Sequence, residues 1–276
     1  MKVISIIGHK KTGKTTLVSR LTKQLSRTGK VGTVKSMIYH RFNPDDTDTS
    51  RHFDSGADMV TALTKDEFVT ISKNPDIEKA LDTLADNGMD YAIVEGDKNS
   101  DLPKILLGDM DDDRHIKNVV EQVPDVSHIN TDKIIEIICS QPDWVTLDLL
   151  VKKVKNNPEI KKAGAIGTFT GVVREITSEV QTKMLEFEKY ETVAEDKINQ
   201  ISVELKQKPG IVDVLIHHKS GRVNPGEDIV YIVVVASHRT ELFQTLSEAI
   251  ERVKSEVPIW KKEITIDGNY WVHDHG

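Results

Sequence analysis

Residues 8–15 read Gly8-His9-Lys10-Lys11-Thr12-Gly13-Lys14-Thr15 and match the phosphate-binding pattern G-x-x-x-x-G-K-[ST]. The apolar run Val3 to Ile7 precedes this stretch, and a helical pattern of leucines that reaches Leu25 follows it. A strand, a glycine-containing loop and a helix in this order begin a phosphate-binding α/β domain. The stretch therefore predicts the fold of the first half of the chain.

The same stretch predicts a nucleotide site. Backbone N–H groups of such a loop surround phosphate oxygens at a helix N-terminus, Lys14 would reach the β and γ phosphates, and the Thr15 hydroxyl would hold Mg²⁺. The alternative is a glycine turn that only joins a strand to a helix, and the flanking patterns favour the nucleotide site. The predicted nucleotide-binding residues are Gly8, His9, Lys10, Lys11, Thr12, Gly13, Lys14, Thr15 and Thr16.

Strands and helices alternate further along the first half. Val31 to Lys35 and Tyr91 to Gly96 are typical of strands, and Ile77 to Asn87 is typical of a helix. This alternation predicts a mostly parallel sheet with helices on both faces. Glu95 lies at the end of its strand, where the acidic group of a phosphate-loop enzyme meets the metal, so Thr15 and Glu95 are the predicted metal residues. The alternative for Glu95 is an ordinary solvated carboxylate.

Length and composition indicate the class of protein. The chain has 276 residues, of which 29% are charged and 38% hydrophobic, and this balance is typical of a soluble protein with two globular domains. No apolar run approaches the roughly 20 residues that span a bilayer, and Met1-Lys2 leads into a strand instead of a signal peptide. The single cysteine, Cys139, excludes an internal disulfide. We therefore expect a cytoplasmic protein that does not bind a membrane.

Charge is unevenly distributed along the first half. Residues 1–50 hold 10 Lys and Arg against 3 Asp and Glu, a net charge of +7, and residues 51–143 hold 9 against 21, a net charge of −12. The basic stretch contains the phosphate loop, where a polyanionic ligand would bind. Because the whole chain carries −7 and has no basic stripe interleaved with aromatic residues, we expect no nucleic-acid partner.

The pattern changes at Ser140-Gln141-Pro142-Asp143, a short polar stretch. We expect a first domain over residues 1–139, a linker over residues 140–143 and a second domain over residues 144–276. The second domain has four β-rich runs, a turn over residues 221–227, a helix over residues 192–207 and a last long helix that Pro258 ends. The sum predicts an α+β domain with an antiparallel sheet and at least two helices packed against it.

Five basic residues of the second domain lie near predicted strand or helix ends: Arg174, His238, Arg239, Lys254 and Lys261. If Ser237 caps the last long helix, His238 and Arg239 occupy its first turn, which favours an anion. The five side chains could converge on one pocket, although each taken singly is more commonly a solvated surface charge. Residue types alone predict a site for a small anionic molecule and no more.

Six motifs, in order over residues 144–276, carry the prediction further. They are Phe169-Thr170-Gly171-Val172-Val173-Arg174, Leu185-Glu186-Phe187-Glu188-Lys189-Tyr190, His217-His218-Lys219-Ser220-Gly221, Ser237-His238-Arg239, Val257-Pro258-Ile259-Trp260-Lys261-Lys262-Glu263 and Asp267-Gly268. In these motifs the second domain resembles the large, catalytic subunit of molybdopterin synthase, the MoaE family.

This resemblance implies an enzyme that converts cyclic pyranopterin monophosphate to molybdopterin by building a dithiolene. It implies that the sulfur arrives as a C-terminal thiocarboxylate on a small ubiquitin-like subunit, whose tail enters the active site. Lys254 and Lys261 match the family's catalytic lysines. The substrate-binding positions of the family match Phe169, Arg174, His238 and Arg239.

Two further expectations concern the second domain. It contains no cysteine, so a persulfide cannot carry the sulfur, and a donor in trans is expected, with no tightly bound cofactor in this domain. Lys219 stands where the family commonly has an arginine, and because a lysine lacks the bidentate geometry of a guanidinium we assign it no phosphate-binding role.

The first domain resembles the MobB family of phosphate-loop proteins, which are associated with the formation of molybdopterin guanine dinucleotide. Besides the phosphate loop, the matching stretches are Gly32-Thr33-Val34-Lys35, Asp48-Thr49-Ser50-Arg51, Val94-Glu95-Gly96 with Lys98, and Pro103-Lys104-Ile105. The resemblance implies GTP with Mg²⁺ as the ligand and a weak GTPase activity, although the chain has no clear N-K-x-D motif to read the base.

The hypothesis that combines these observations is a bifunctional protein of molybdenum cofactor biosynthesis. Its second domain would make molybdopterin, and its first domain would bind GTP and assist the later guanine dinucleotide step. One alternative is a phosphate-loop NTPase or kinase whose second domain only binds a pterin-type ligand. Another is a non-catalytic adaptor. Both resembled families are associated with dimers, so a homodimer is expected.

Overall fold

The computed structural model describes residues 1–37, 42–74, 76–110, 115–177 and 180–272. The chain divides into two compact units, Met1–Val145 and Thr146–Gly276. The boundaries drawn from composition, with residues 140–143 as a linker, stay a prediction. Within the described residues, no helix is both long enough and apolar enough to cross a membrane.

The first unit alternates strands and helices, as the sequence predicts. In chain order its elements are β1 (Lys2–Gly8), α1 (Lys14–Leu25), β2 (Val31–Lys35), α2 (Asp48–Asp54), β3 (Met59–Leu63), β4 (Phe68–Ser72), α3 (Ile77–Asp86), β5 (Tyr91–Glu95), β6 (Lys104–Leu107), β7 (Val119–Val123) and α4 (Thr131–Ser140). A 3₁₀ turn, Val126–His128, precedes α4.

A parallel sheet in the order β2-β5-β1-β6-β7 forms the centre of the first unit, and β3 and β4 pair in a separate antiparallel hairpin. Val3 to Gly8 of β1 are buried, which fits a parallel sheet covered on both faces. Ile4 and Ile6 pack with α1 and α4, and Gly32 of β2 lies against Leu84 of α3. The α/β class predicted for this half is confirmed.

The second unit is built mainly from antiparallel strands. Its elements are α5 (Leu147–Lys155), β8 (Ala165–Val172), β9 (Ile176–Thr177), β10 (Val180–Lys189), α6 (Glu191–Lys206), β11 (Ile211–His218), β12 (Gly221–Val223), β13 (Asp228–Ala236), α7 (Arg239–Glu256), β14 (Ile259–Thr265) and β15 (Asn269–Val272). A 3₁₀ turn, Pro158–Lys162, lies between α5 and β8.

Two antiparallel sheets divide these strands. One has the order β11-β13-β8, and the other has the order β12-β10-β14-β15, with β9 paired to β10. Helices α6 and α7 cover the first sheet, and their apolar residues form one core with those of the central strand β13, which is buried from Val230 to Ala236. The α+β class is confirmed.

Two local predictions were wrong. The stretch predicted as a turn over residues 221–227 begins with a strand, β12, because Gly221 and Val223 pair with Phe187 and Leu185 of β10. The N-cap of α7 is His238 and not Ser237. The Ser237 N–H donates to the Gly210 carbonyl at 2.8 Å, which keeps the chain extended for one residue more.

Candidate functional site

The phosphate loop connects β1 to α1 with a geometry that needs glycine. Gly13 is the N-cap of α1 and has a left-handed backbone, with φ of 92° and ψ of 16°. A Cβ at this position would lie 2.7 Å from a methyl carbon of Val126. Within the described part of the chain no side chain caps α1, so the first N–H groups of the helix are available to an anion.

Lys14 lies over its own loop. Its ammonium donates to the Gly8 carbonyl at 3.0 Å and to the His9 carbonyl. Burial lowers the pKa of Lys14, the Glu95 carboxylate opposes that change, and the positive charges of Lys35 and Lys98 add to it. A phosphate group could replace the two carbonyls as the partner of this ammonium.

Glu95 is buried at the end of β5 and contacts Thr15, the other predicted metal residue. One of its carboxylate oxygens accepts a hydrogen bond from the Thr15 hydroxyl at 2.8 Å and an ion pair from Lys35. Hydroxyl and carboxylate oxygens suit Mg²⁺, which uses few protein ligands, so these residues fit the ion. Among the described residues no group of three or more His, Cys, Asp and Glu could hold a metal by itself. Metal binding by Thr15 and Glu95 stays a prediction.

The remaining loop residues surround this centre. His9, Lys10, Lys11 and Thr16 are exposed, and the Thr12 hydroxyl donates to the His9 carbonyl at 3.0 Å. Lys10 and Lys11 therefore add positive charge around the loop without any structural task in the core. Their arrangement suits a polyanion, as the sequence predicts.

The basic residues predicted for the second unit separate into two groups along the β8–β13 ladder. This ladder runs from the pair Ala165–Ala236 to the pair Val172–Asp228. Arg174 follows β8 at the second end, whereas His238 and Arg239 follow β13 at the first end. With seven residue steps of about 3.3 Å each, the two ends lie about 23 Å apart.

The two lysines belong to the same end as Arg174. Helix α7 packs on β8 and β13, with Leu242 against Gly167, and its 18 residues extend about 27 Å at 1.5 Å per residue. Its last turn, which carries Lys254, therefore returns to the Arg174 end. Ile259, at the start of the strand that carries Lys261, packs in the cluster that contains Val173.

We call the group of Arg174, Lys254 and Lys261 the lysine end, and the group of His238 and Arg239 the histidine end. Within one chain these five basic side chains therefore do not converge on one pocket, which the sequence had left open. Phe169 lies on β8 between the two ends, opposite Ile232, and packs partly buried against the core.

Lys261 and Lys254 differ in environment. Lys261 is partly buried and lies opposite Phe187 on β10, so its side chain shares a face with the buried cluster. Lys254 is exposed and its ammonium lies 3.8 Å from the Glu251 carboxylate. Pro258 separates them by ending the helix and starting β14.

His218 is a buried residue near this face, and although it lies in one of the six motifs, the sequence predicted no role for it. Its ring packs edge-on against Phe187 with centroids 5.1 Å apart, and its Nδ1 lies 2.7 Å from the Lys219 carbonyl. Burial lowers the pKa of His218 to about 4, against the effect of that hydrogen bond and with a further contribution from the charge of Lys189. The ring is therefore neutral at pH 7, with an Nδ1–H that donates to the carbonyl.

Lys219, to which we assigned no phosphate-binding role, has a packing contact. Its ammonium lies 5.8 Å from the ring centroid of Tyr231, and the Tyr231 hydroxyl donates to Asp228 at 3.0 Å.

Comparisons with known proteins give one family for each unit. The family model described as MoaE protein matches residues 143–256, and the model described as molybdopterin guanine dinucleotide synthesis protein B, MobB, matches residues 3–131. The two matches lie on the two units seen in the structure.

One relative matches both units at once. A probable molybdopterin synthase from Haloferax volcanii is 39% identical over 277 residues, which covers 99% of this chain and 100% of the relative. The molybdopterin synthase catalytic subunit of Bacillus subtilis is 41% identical over 130 residues, 47% of this chain and 80% of that protein. The crystal structure of molybdopterin synthase from Staphylococcus aureus has 42% identity and a TM-score of 0.39, and it covers 41% of this chain and 82% of that chain.

Proposed function

This chain belongs to the molybdopterin synthase family, as a member in which a MobB domain and a MoaE domain are joined, and we propose that its second unit is a working synthase. The substrate would be cyclic pyranopterin monophosphate, and the sulfur donor a small subunit with a C-terminal thiocarboxylate. The observation that supports this proposal most is the lysine end, because the strand and helix order brings Arg174, Lys254 and Lys261 to the same end of the β8–β13 ladder.

The chemistry requires both a cation and a proton carrier. Each new carbon–sulfur bond of the dithiolene replaces a carbon–oxygen bond of the substrate. The sulfur leaves the acyl carbon of its donor, and water hydrolyses that acyl group to a carboxylate. Arg174 would hold the anionic group of the substrate, and Lys261 and Lys254 would exchange protons with the reacting atoms. Lys261 suits this task better, because it is partly buried beside Phe187 while Lys254 is exposed.

The test uses the purified full chain. It is incubated with the thiocarboxylated small subunit and cyclic pyranopterin monophosphate, and the dithiolene product is measured. No product would contradict the proposal and favour a chain that only binds pterins. Product formation that survives Lys14→Ala would show that sulfur transfer does not need the phosphate loop.

We further propose a homodimer in which one copy supplies the lysine end and the other the histidine end of each site. The support is the separation of about 23 Å between these ends within one chain, which no side chain spans. A two-fold axis that brings the ends together would create two identical complete sites.

Mixing two defective variants tests this arrangement. Arg174→Ala and Arg239→Ala each disable one end, but a mixed dimer retains one intact site. Random exchange should therefore restore about a quarter of the wild-type activity, since half of the dimers are mixed and each has one of two sites intact. Mixtures that stay as inactive as the separate variants would show that each site is built from one chain.

We also propose that the first unit binds GTP with Mg²⁺ and assists the later guanine dinucleotide step, with at most slow hydrolysis of GTP. The uncapped N-terminus of α1, the Lys14 ammonium and the contact between Thr15 and Glu95 support nucleotide binding. Calorimetric titration with GTP and Mg²⁺ tests it. Absence of binding by GTP would contradict this proposal and leave the synthase proposal untouched.

A further inference from the structure

The loop of residues 96–103 crosses from one side of β1 to the other beside the phosphate site. Ile6 of β1 pairs with Glu95 of β5, and Ser5 pairs with both Val94 of β5 and Lys104 of β6. The loop therefore leaves the sheet next to Glu95 and re-enters it at Lys104. Ligands of open parallel sheets bind at the carboxyl ends of strands, which is where this loop begins.

Hydrogen bonds fix the loop at its beginning and end. The Gly96 N–H donates to the Ile6 carbonyl at 3.0 Å, and its carbonyl accepts from the Ser5 hydroxyl at 2.6 Å. Asp97 follows with a left-handed backbone, φ of 62°, which turns the chain sharply after Glu95. At the other end, the Ser5 N–H donates to the Pro103 carbonyl at 2.8 Å.

The buried Lys104 side chain holds the second half of the loop through hydrogen bonds to its backbone. The side chain is fully buried, and its ammonium donates to the Leu102 carbonyl at 2.8 Å and to the Ser100 carbonyl. Burial lowers the pKa of Lys104, and the carboxylates of Asp97 and Asp101 oppose that change. A buried ammonium is costly, and an apolar side chain of similar length would fill the same space without that cost. The two carbonyls that it satisfies explain why a lysine is useful here.

The part of the loop between these anchors carries the exposed Lys98. Because Gly96 and Ser100 are held by hydrogen bonds on either side, the backbone of Lys98 has a fixed place three residues after Glu95. Glu95 marks the end of the phosphate site that would hold the metal, and the terminal phosphate of a nucleotide lies at that end.

We propose that Lys98 is a further phosphate-contacting residue of the nucleotide site, directed at the terminal phosphate, and that Lys104 is the positioning residue that holds the Lys98 loop. The proposal rests on the nucleotide binding proposed above. Its ligand is a nucleoside triphosphate, in preference to the diphosphate.

The charge balance around Glu95 agrees with this role. The positive charges of Lys35 and Lys98 both act on the Lys14 ammonium, and the Glu95 carboxylate acts on it in the opposite direction. Like charges held close together repel, and a bound triphosphate would relieve that repulsion. Lys35 is already paired with Glu95, which leaves Lys14 and Lys98 to face the phosphates.

The test compares GTP with GDP on the full chain in the presence of Mg²⁺. Lys98→Ala should weaken GTP binding on the order of tenfold and change GDP binding much less, since only GTP has the terminal phosphate. Lys98→Arg should retain most of the preference for GTP over GDP. The matched control is Lys23→Ala, which removes the same charge from the exposed last turn of α1, about 13 Å along the helix from Lys14.

Lys104→Met tests the positioning role. It should lose the preference for GTP over GDP as Lys98→Ala does. The double variant, Lys98→Ala with Lys104→Met, should lose no more GTP affinity than either single variant. A variant that is merely less stable would bind both nucleotides more weakly and keep the preference. Equal affinities of wild type and Lys98→Ala for GTP, or an equal loss for GTP and GDP, would overturn the assignment of Lys98. If the losses of GTP affinity add fully in the double variant, the positioning role assigned to Lys104 is wrong. If the wild type binds neither nucleotide, the proposed nucleotide binding fails first and this inference fails with it.

Discussion

The two units of this chain build their candidate sites in opposite ways. The phosphate loop takes nine consecutive residues, Gly8 to Thr16, and is joined by Glu95 of β5 and Lys35 of β2 and, in our proposal, by Lys98. The site of the second unit takes its residues from four places that are far apart in sequence: after β8, at both ends of α7 and on β14. A consecutive site carries its own geometry. A dispersed site depends on strand register, helix length and, in our proposal, a second copy of the chain.

Disabling one lysine tests the dispersed site most strongly. Lys261→Ala should lower the rate of dithiolene formation by a factor on the order of 10³, since a positioned proton carrier contributes 10²–10⁴. Lys262→Ala is the matched control. The side chain of Lys262 points to the opposite face of β14, where its ammonium lies 5.7 Å from the ring centroid of Trp271. If the two variants lose activity equally, the face assigned to the site is wrong.

The second unit should also respond to acid through His218. Its pKa is about 4 when folded and 6.5 when unfolded, so the unfolded chain binds more protons between these values. The stability that the neutral ring contributes is complete above pH 6.5 and is lost as the pH falls to 4, by about 3 kcal/mol in total.

Urea unfolding of the wild type and of His218→Gln, at pH 7 and at pH 4.5, measures this effect. Glutamine cannot ionise but keeps an N–H that can donate to the Lys219 carbonyl, so its stability should fall less with acid. The effect of protonating carboxylates is the same in both proteins, so it cancels when their losses of stability are compared. An equal loss of stability in the two proteins would show that His218 is already accessible to protons in the folded state.

The residues of the consecutive site could be predicted from the sequence, and so could its position between a strand and a helix. The pattern from Gly8 to Thr15 needs a strand before it and a helix after it, and β1 and α1 lie there. The acid at the end of β5 meets Thr15 because parallel strands end at the same edge. The role of Lys104 was not predictable, because a lysine in a short apolar strand gives no sign that its ammonium turns back onto the loop before it.

The dispersed site was predictable only in its residue types. Motif resemblance predicted which cations belong to the site, but it gave no information on strand register. The separation of Arg174 from His238 and Arg239 became visible only through the antiparallel pairing of β8 with β13. The cap of α7 was misplaced by one residue for a related reason, since the hydrogen bond from Ser237 to Gly210 joins segments that are distant in sequence.

The smallest expected effect concerns the metal end of the consecutive site. Glu95→Gln keeps the shape of the side chain and an oxygen that can accept from Thr15, but it removes the charge that would attract Mg²⁺. GTP affinity in the presence of Mg²⁺ should fall about tenfold, while affinity in the presence of a chelator should stay equal or rise, because a negative charge near the phosphates is gone. Glu121→Gln on β7, which removes the ion pair with Lys133 of α4, should leave both affinities unchanged. If the ratio of the two affinities is the same in Glu95→Gln and the wild type, Glu95 does not contribute to the metal shell. Its pairing with Lys35 and Thr15 would then only hold the loop in shape.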